Sequence, residues 1–285
     1  MVLKRALAAI AAVVAFGLVV TSTAMAGQPV EWQMGFQEAA SPVMEGINDF
    51  HNLLLVIIYS IVAFVSALLI VVFVKFNAKA NPVPSKTSHN TPLEVIWTVV
   101  PIMILVVIAI PSFKLLYLYD TVPNSAMTIK AVAHQWYWSY EYPDDGDFAF
   151  DAMMLEDEDL EEGDPRLLAT DTKIVLPVDT DVRVLVSTED VIHSWAVPAL
   201  GVKMDATPGL LNETWLRITK EGKYYGQCSE LCGVNHGFMP IEIHAVSKEA
   251  YAEWVAEAQE EYARAETPEA QAEIQIASAG NLVAQ

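Results

Sequence analysis

The chain opens on long apolar runs and then changes to short alternating stretches. Ala6 to Val20 follows the basic pair Lys4 and Arg5 and precedes the small-x-small triplet Ala24-Met25-Ala26. That order predicts a secretory signal over 1–26, since the run is short for a membrane span. Leu53 to Val74 is 22 residues without a charge, and Val95 to Phe113 is a second such run, closed by Lys114. Each is long enough to cross a bilayer as a helix. The connector between them carries Lys75, Lys79 and Lys86, whereas Gln28 to Phe50 has four acids and no Lys or Arg. Lysine-rich connectors stay cytoplasmic, so both termini are expected on the periplasmic side of a bacterial inner membrane.

Beyond the second run the period shortens to two. Thr128–Val132, Trp136–Tyr142, Lys173–Leu176, Val182–Val186, Glu213–Ile218 and Ile241–Ala245 read as strands, punctuated by Pro177, Asp179, Gly201, Pro208-Gly209 and Glu221-Gly222. Short strands with frequent turn signals predict a β-sandwich or barrel. Glu156 to Asp164 is densely acidic and reads as a solvated loop, and Ser247 to Ala265 as a surface helix, with a tail beyond Thr267. The expected division is a signal over 1–26, a hairpin segment over 27–119, an exported domain over 120–246 and a helix with tail over 247–285.

Charge sharpens this division. The mean hydropathy is +0.32 although the net charge is −20. The two are reconciled by segregation: 31 of the 36 acidic residues, but only 10 of the 16 basic ones, lie from Asp120 onward. An acidic exported domain disfavours nucleic acid and speeds encounters with basic partners.

Both cysteines of the chain fall in Cys228-Ser229-Glu230-Leu231-Cys232-Gly233-Val234-Asn235-His236-Gly237-Phe238-Met239, with His193-Ser194-Trp195 upstream. In an oxidising compartment a disulfide accounts for the two thiols, but leaves His193, His236 and Met239 without a use. Zinc accounts for Cys and His but rarely takes Met. Two copper ions bridged by two thiolates use every group, because soft sulfur with imidazole favours copper. His51, His89, His134 and His244 have no partner motif and read as structural. No Cys-x-x-Cys-His is present, so an electron donor would be a separate protein.

The Cys228–Met239 pattern with His193-Ser194-Trp195 resembles the copper-A site of cytochrome c oxidase subunit II. His89-Asn90-Thr91-Pro92-Leu93-Glu94-Val95-Ile96-Trp97-Thr98 resembles that family's approach to its second membrane helix, and Gln135-Trp136-Tyr137-Trp138-Ser139-Tyr140-Glu141-Tyr142 its aromatic strand. The likeness extends from about Ala40 to Ala245. It implies a two-helix transmembrane hairpin followed by an all-β cupredoxin-like domain. Cys228 and Cys232 are implied as bridging thiolates of two coppers, and His193 and His236 as terminal ligands. Met239 and the Glu230 carbonyl complete the set, with the Glu230 carboxylate on a magnesium ion shared with the catalytic subunit.

The resemblance further implies that an electron from cytochrome c arrives at Trp136. Glu141, Asp147, Asp171 and Asp190 are implied as docking carboxylates and Glu94 as the mouth of a proton path. The implied partners are the haem-copper catalytic subunit, other oxidase subunits, cytochrome c and membrane lipid. No catalytic residue is expected on this chain, because oxygen reduction and proton pumping belong to the catalytic subunit. A quinol oxidase subunit shares the architecture but lacks the copper ligands. Nitrous oxide reductase would need a further histidine-rich domain, and this chain has only six His. A copper-delivery protein remains the alternative outside electron transfer.

Overall fold

Ser41 starts the first long helix: its hydroxyl accepts the amide of Met44 at 3.0 Å, and Pro42 follows at the first helical position. Pro is well placed there because its missing N–H has no intrahelical partner to lose. In the computed structural model, which describes residues 27–262, helix α1 runs Pro42–Lys75 and helix α2 Thr91–Asp120. Both are long and apolar enough to cross a membrane. At about 1.5 Å per residue α1 spans about 51 Å, well beyond the ~30 Å hydrocarbon core. The helices therefore outrun the charge-free stretches, because a charge ends membrane burial without ending the helix. Asn90 caps α2 by accepting the Leu93 amide, and Glu94 reaches back to the Asn90 amide at 3.1 Å.

The part that follows is a β-domain of ten strands among the described residues. They are β1 Met127–His134, β2 Tyr137–Tyr142, β3 Phe148–Ala152, β4 Ile174–Pro177, β5 Val182–Thr188, β6 His193–Val197, β7 Val202–Ala206, β8 Asn212–Leu216, β9 Gly222–Gln227 and β10 Pro240–Val246. One sheet has the order β3-β2-β1-β5-β8, a second β4-β10-β9, and β6 pairs with β7. The pairs β1–β5 and β4–β10 are parallel. Alternation drives the larger sheet: Val182, Val184 and Val186 are buried while Arg183, Leu185 and Ser187 are not. Trp138, Tyr140 and Tyr142 likewise fill the core from β2. This is a cupredoxin-like sandwich. Helix α3, Lys248–Glu261, is capped by Ser247 and lays Trp254 edge-on against Tyr142 and Phe148.

The two parts are joined by hydrogen bonds as well as by chain. The Ala40 amide donates to Ala199 and its carbonyl accepts from Thr219. The Trp215 indole donates to the Leu118 carbonyl at the end of α2.

Gly226 sets how closely β9 approaches β6, since a Cβ there would collide with the Ala196 carbonyl. These strands deliver Cys228 and His193 to one place. Gly226→Ala is expected to destabilise the domain by about 1–3 kcal/mol through overpacking and to weaken metal loading in parallel. Thermal unfolding and metal titration of the variant check this. The proposed signal over 1–26 and the tail beyond Thr267 lie outside the described residues.

Candidate metal centre

Three loops at one end of the sandwich build the site: the β1–β2 turn at Gln135-Trp136, the β5–β6 connection at Glu189–Ile192, and the long β9–β10 loop from Cys228 to Met239. His193 is the first residue of β6 and is fully buried. Cys228, Cys232 and Met239 are buried, and His236 is half-buried at the start of a short helical turn. The ligand atoms of His193, Cys228 and Cys232 lie within 4.8 Å of one another.

The two sulfurs are 3.8 Å apart, far beyond the roughly 2.05 Å of a disulfide, and both thiols are free. Around them, His193 Nδ1 is 3.8 Å from Cys228 Sγ, and His236 Nδ1 is 3.6 Å from Cys232 Sγ. Met239 Sδ is 3.6 Å from Cys232 Sγ, and the Glu230 carbonyl 3.3 Å from Cys228 Sγ. Two donors sharing a tetrahedral metal at 2.0–2.3 Å stand about 3.5 Å apart. The donor set therefore suits metal, and its soft sulfurs with imidazole suit copper. One imidazole stands beside each sulfur, with the Met239 thioether beside Cys232 and the Glu230 carbonyl beside Cys228.

Electrostatics divide the pair. Burial pushes the Cys228 thiol up, but hydrogen bonding to His193, to the Glu230 and Ser194 backbone and to His236 outweighs it and brings it to about 6. Burial and then the Cys228 charge push Cys232 up to about 12. Cys228 is thus the thiol that ionises first, and Cys232 gives up its proton when a cation displaces it. For a depressed acid the anion is lost as pH falls through the folded value, and the raised Cys232 must shed a proton to bind, so copper loading is expected to weaken as pH falls. Copper titration at pH 5 and pH 7 with proton release measured checks this.

The loop is tied down from outside. The Cys228 amide donates to the Met239 carbonyl, the Ser229 amide to the Ser194 carbonyl, and Trp138 Nε1 to the Met239 carbonyl. Gly233, at φ +126°, leaves room for the Trp136 ring, which a Cβ would meet at 2.9 Å. Trp136 lies in the turn before β2 rather than on the strand face of Trp138, Tyr140 and Tyr142, and is half-buried where they are buried. Its Nε1 donates to the Cys232 carbonyl at 3.2 Å. Gln135 Nε2 donates to the same carbonyl at 2.7 Å, a contact 97 residues apart that no local pattern announces.

The other expected site residues are spread wider. Glu230 is exposed. Glu141 pairs with Lys130 at 3.0 Å, and Asp171 accepts the Met153 amide at 2.8 Å. Asp147 is exposed, with φ 56°. Asp190 accepts from His193 Nε2 at 2.8 Å. Glu94 lies in the first turn of α2, at the end opposite the one that meets the β-domain. Beside Trp136 a cleft of about 570 Å³ is lined by Met153, Phe238, Glu156, Asp157 and Arg166. His134 stacks on Tyr137, and His244 pairs with buried Glu242, as structural histidines do.

Residues 127–246 match the family model described as the periplasmic domain of cytochrome c oxidase subunit II, and 29–115 match that of its transmembrane domain. A probable cytochrome c oxidase subunit 2 of Rickettsia bellii is 56% identical over 241 residues, covering 84% of this chain and 90% of the relative. The cytochrome c oxidase subunit 2 of Cyanidium caldarium is 52% identical, covering 79% and 90%. The crystal structure of the periplasmic domain of the Bradyrhizobium japonicum oxidase subunit II is 51% identical, covers 50% of this chain and 99% of that one, and has a TM-score of 0.47.

Proposed function

The chain belongs to the cytochrome c oxidase subunit II family, and from that premise we propose that it takes electrons from cytochrome c at a two-copper centre and passes them to the haem-copper subunit. Membership makes the chain a membrane-bound subunit of a terminal oxidase. The observation that carries the proposal is the disposition of four donor groups around two unbridged sulfurs.

When bound there, two copper ions would supply a one-electron acceptor held by Cys228, Cys232, His193, His236, Met239 and the Glu230 carbonyl. The chain's own residues do the rest. Burial of both sulfurs and His193 excludes water, and the clamped loop keeps the donor positions fixed between oxidation states, which keeps reorganisation small. The Trp136 indole, with its N–H on the Cys232 carbonyl, gives an electron a short bonded route from the surface to a ligand sulfur.

The cleft beside it sets apolar Met153 and Phe238 next to Glu156 and Asp157. Such a surface suits a basic, haem-exposing donor that must dock briefly and leave. Glu141, Asp147, Asp171 and the Glu156–Asp164 loop supply the steering charge. The exposed Glu230 carboxylate suits a magnesium ion completed by the catalytic subunit. Glu94 marks the cytoplasmic mouth of a proton path, with the β-domain on the periplasmic side.

Mixing reduced cytochrome c with the oxidase that carries this chain tests the proposal against a copper-delivery role. Copper reduction is expected to be rapid and to slow as salt rises. Copper that leaves the chain without accepting an electron contradicts it.

A further inference from the structure

Ile241, Ile243 and Ala245 of β10 belong to the core, so the alternate residues Glu242 and His244 take the opposite face of the sheet. A carboxylate on an outer face is ordinarily solvated, yet Glu242 is only 2% exposed. The chain between β3 and β4 covers it. The Thr170 amide donates to Glu242 Oε2 at 2.9 Å, and Glu242 Oε1 stands 2.7 Å from His244 Nε2. A buried carboxylate is costly unless hydrogen bonds hold it, and here both oxygens are held.

Thr170 closes the segment that carries the cleft beside Trp136. It bridges to Met154, the Leu155 amide donates to the Ala169 carbonyl at 3.0 Å, and the Asp171 amide to the Met153 carbonyl at 3.0 Å. Met153, Met154, Glu156, Asp157, Arg166 and Leu167 of this segment all line the cleft. The far turn is fastened more loosely, by Lys223 to Asp164 at 3.6 Å, with the lysine side chain half exposed.

Resting on the reading of that cleft as the donor's docking surface, we propose that Glu242 is a positioning residue for the electron donor. It touches neither donor nor copper, and acts by clasping residues 153–170 to β10 so that the cleft keeps its shape beside Trp136. A docking surface that is formed only part of the time binds more weakly by that fraction. An electron on a donor already docked crosses as before, so Glu242 governs docking and not transfer.

The test is made on the purified oxidase carrying Glu242→Leu, which fills the space without accepting the Thr170 amide, and Glu242→Gln, whose side-chain oxygen still accepts it. In Glu242→Leu the half-saturating concentration of reduced cytochrome c for copper reduction is expected to rise about tenfold, as for a cleft formed about a tenth of the time. The limiting rate and the copper spectrum stay as in wild type, and hydrogen exchange over residues 154–170 quickens. Glu242→Gln is expected to behave as wild type in all of these. An unmoved half-saturation in Glu242→Leu overturns the proposal, whether or not exchange quickens, and so does a fall confined to the limiting rate. Glu242→Gln matching Glu242→Leu also overturns it, because the charge rather than the bond to Thr170 would then set docking. If Glu242→Leu does not assemble, Thr170→Pro, which removes the amide donor and leaves Glu242 its histidine, is read against the same outcomes. Wild-type oxidase that takes no electron from cytochrome c would instead contradict the function beneath.

Discussion

Cys232→Ser is expected to empty the centre of its second copper and to stop electron transfer from cytochrome c to the oxidase, with the β-domain still folded. Cys232 Sγ is the hub of the site: Cys228 Sγ stands 3.8 Å away, Met239 Sδ 3.6 Å and His236 Nδ1 3.6 Å. A hydroxyl in its place is harder and far less acidic, so it cannot serve as a bridging soft anion. Turnover should fall to background, while stability changes by no more than about 1–3 kcal/mol, as for altering one buried side chain of similar size. Copper analysis, thermal unfolding and oxygen uptake on the same preparation separate the outcomes. Retained turnover with one copper would show that the bridge is dispensable.

Trp136→Phe is expected to slow electron uptake by about 10–100-fold, the range for removing an outer partner of a metal ligand. The spectrum of the copper centre and its potential should persist. Phenylalanine keeps the ring over Gly233 but loses the N–H on the Cys232 carbonyl. That carbonyl retains Gln135 Nε2 as a donor, so the loop stays held while the bonded route is cut. Stopped-flow reduction by cytochrome c measures it. Unchanged uptake would mean that electrons reach the copper by another surface.

The parts of this account that were legible in the sequence share a physical cause. Lipid tolerates only long apolar helices, so both spans stood out as charge-free runs, although their ends did not. The cap at Ser41 and the Glu94–Asn90 contact continue the helices past the charges that bound the apolar runs. Strands with one wet face announced themselves by alternation. β6 did not, because all five of its residues are buried. β3, β7 and β9 were also missed: β7 alternates over only the five residues Val202 to Ala206, and β9 sets Tyr224 and Tyr225 side by side between two glycines and so does not alternate.

Five of the six ligand groups were legible because the β9–β10 loop gathers them within twelve residues, and His193 because of its own short motif. Gln135 was not, since its role is made by a fold contact with Cys232. Asp190 entered through the family resemblance; three of its donors, Thr188, Val191 and His193, are its neighbours in sequence, and the fourth, the Gln135 amide, reaches it only in the folded domain.

The central claim is the pair of copper ions. The most direct measurement is metal analysis with electron paramagnetic resonance on the detergent-purified chain after copper loading. The account predicts two copper ions per chain and, in the oxidised form, one unpaired electron shared equally by both nuclei. One copper per chain, a spectrum from a single nucleus, or stoichiometric zinc in preference to copper would contradict it.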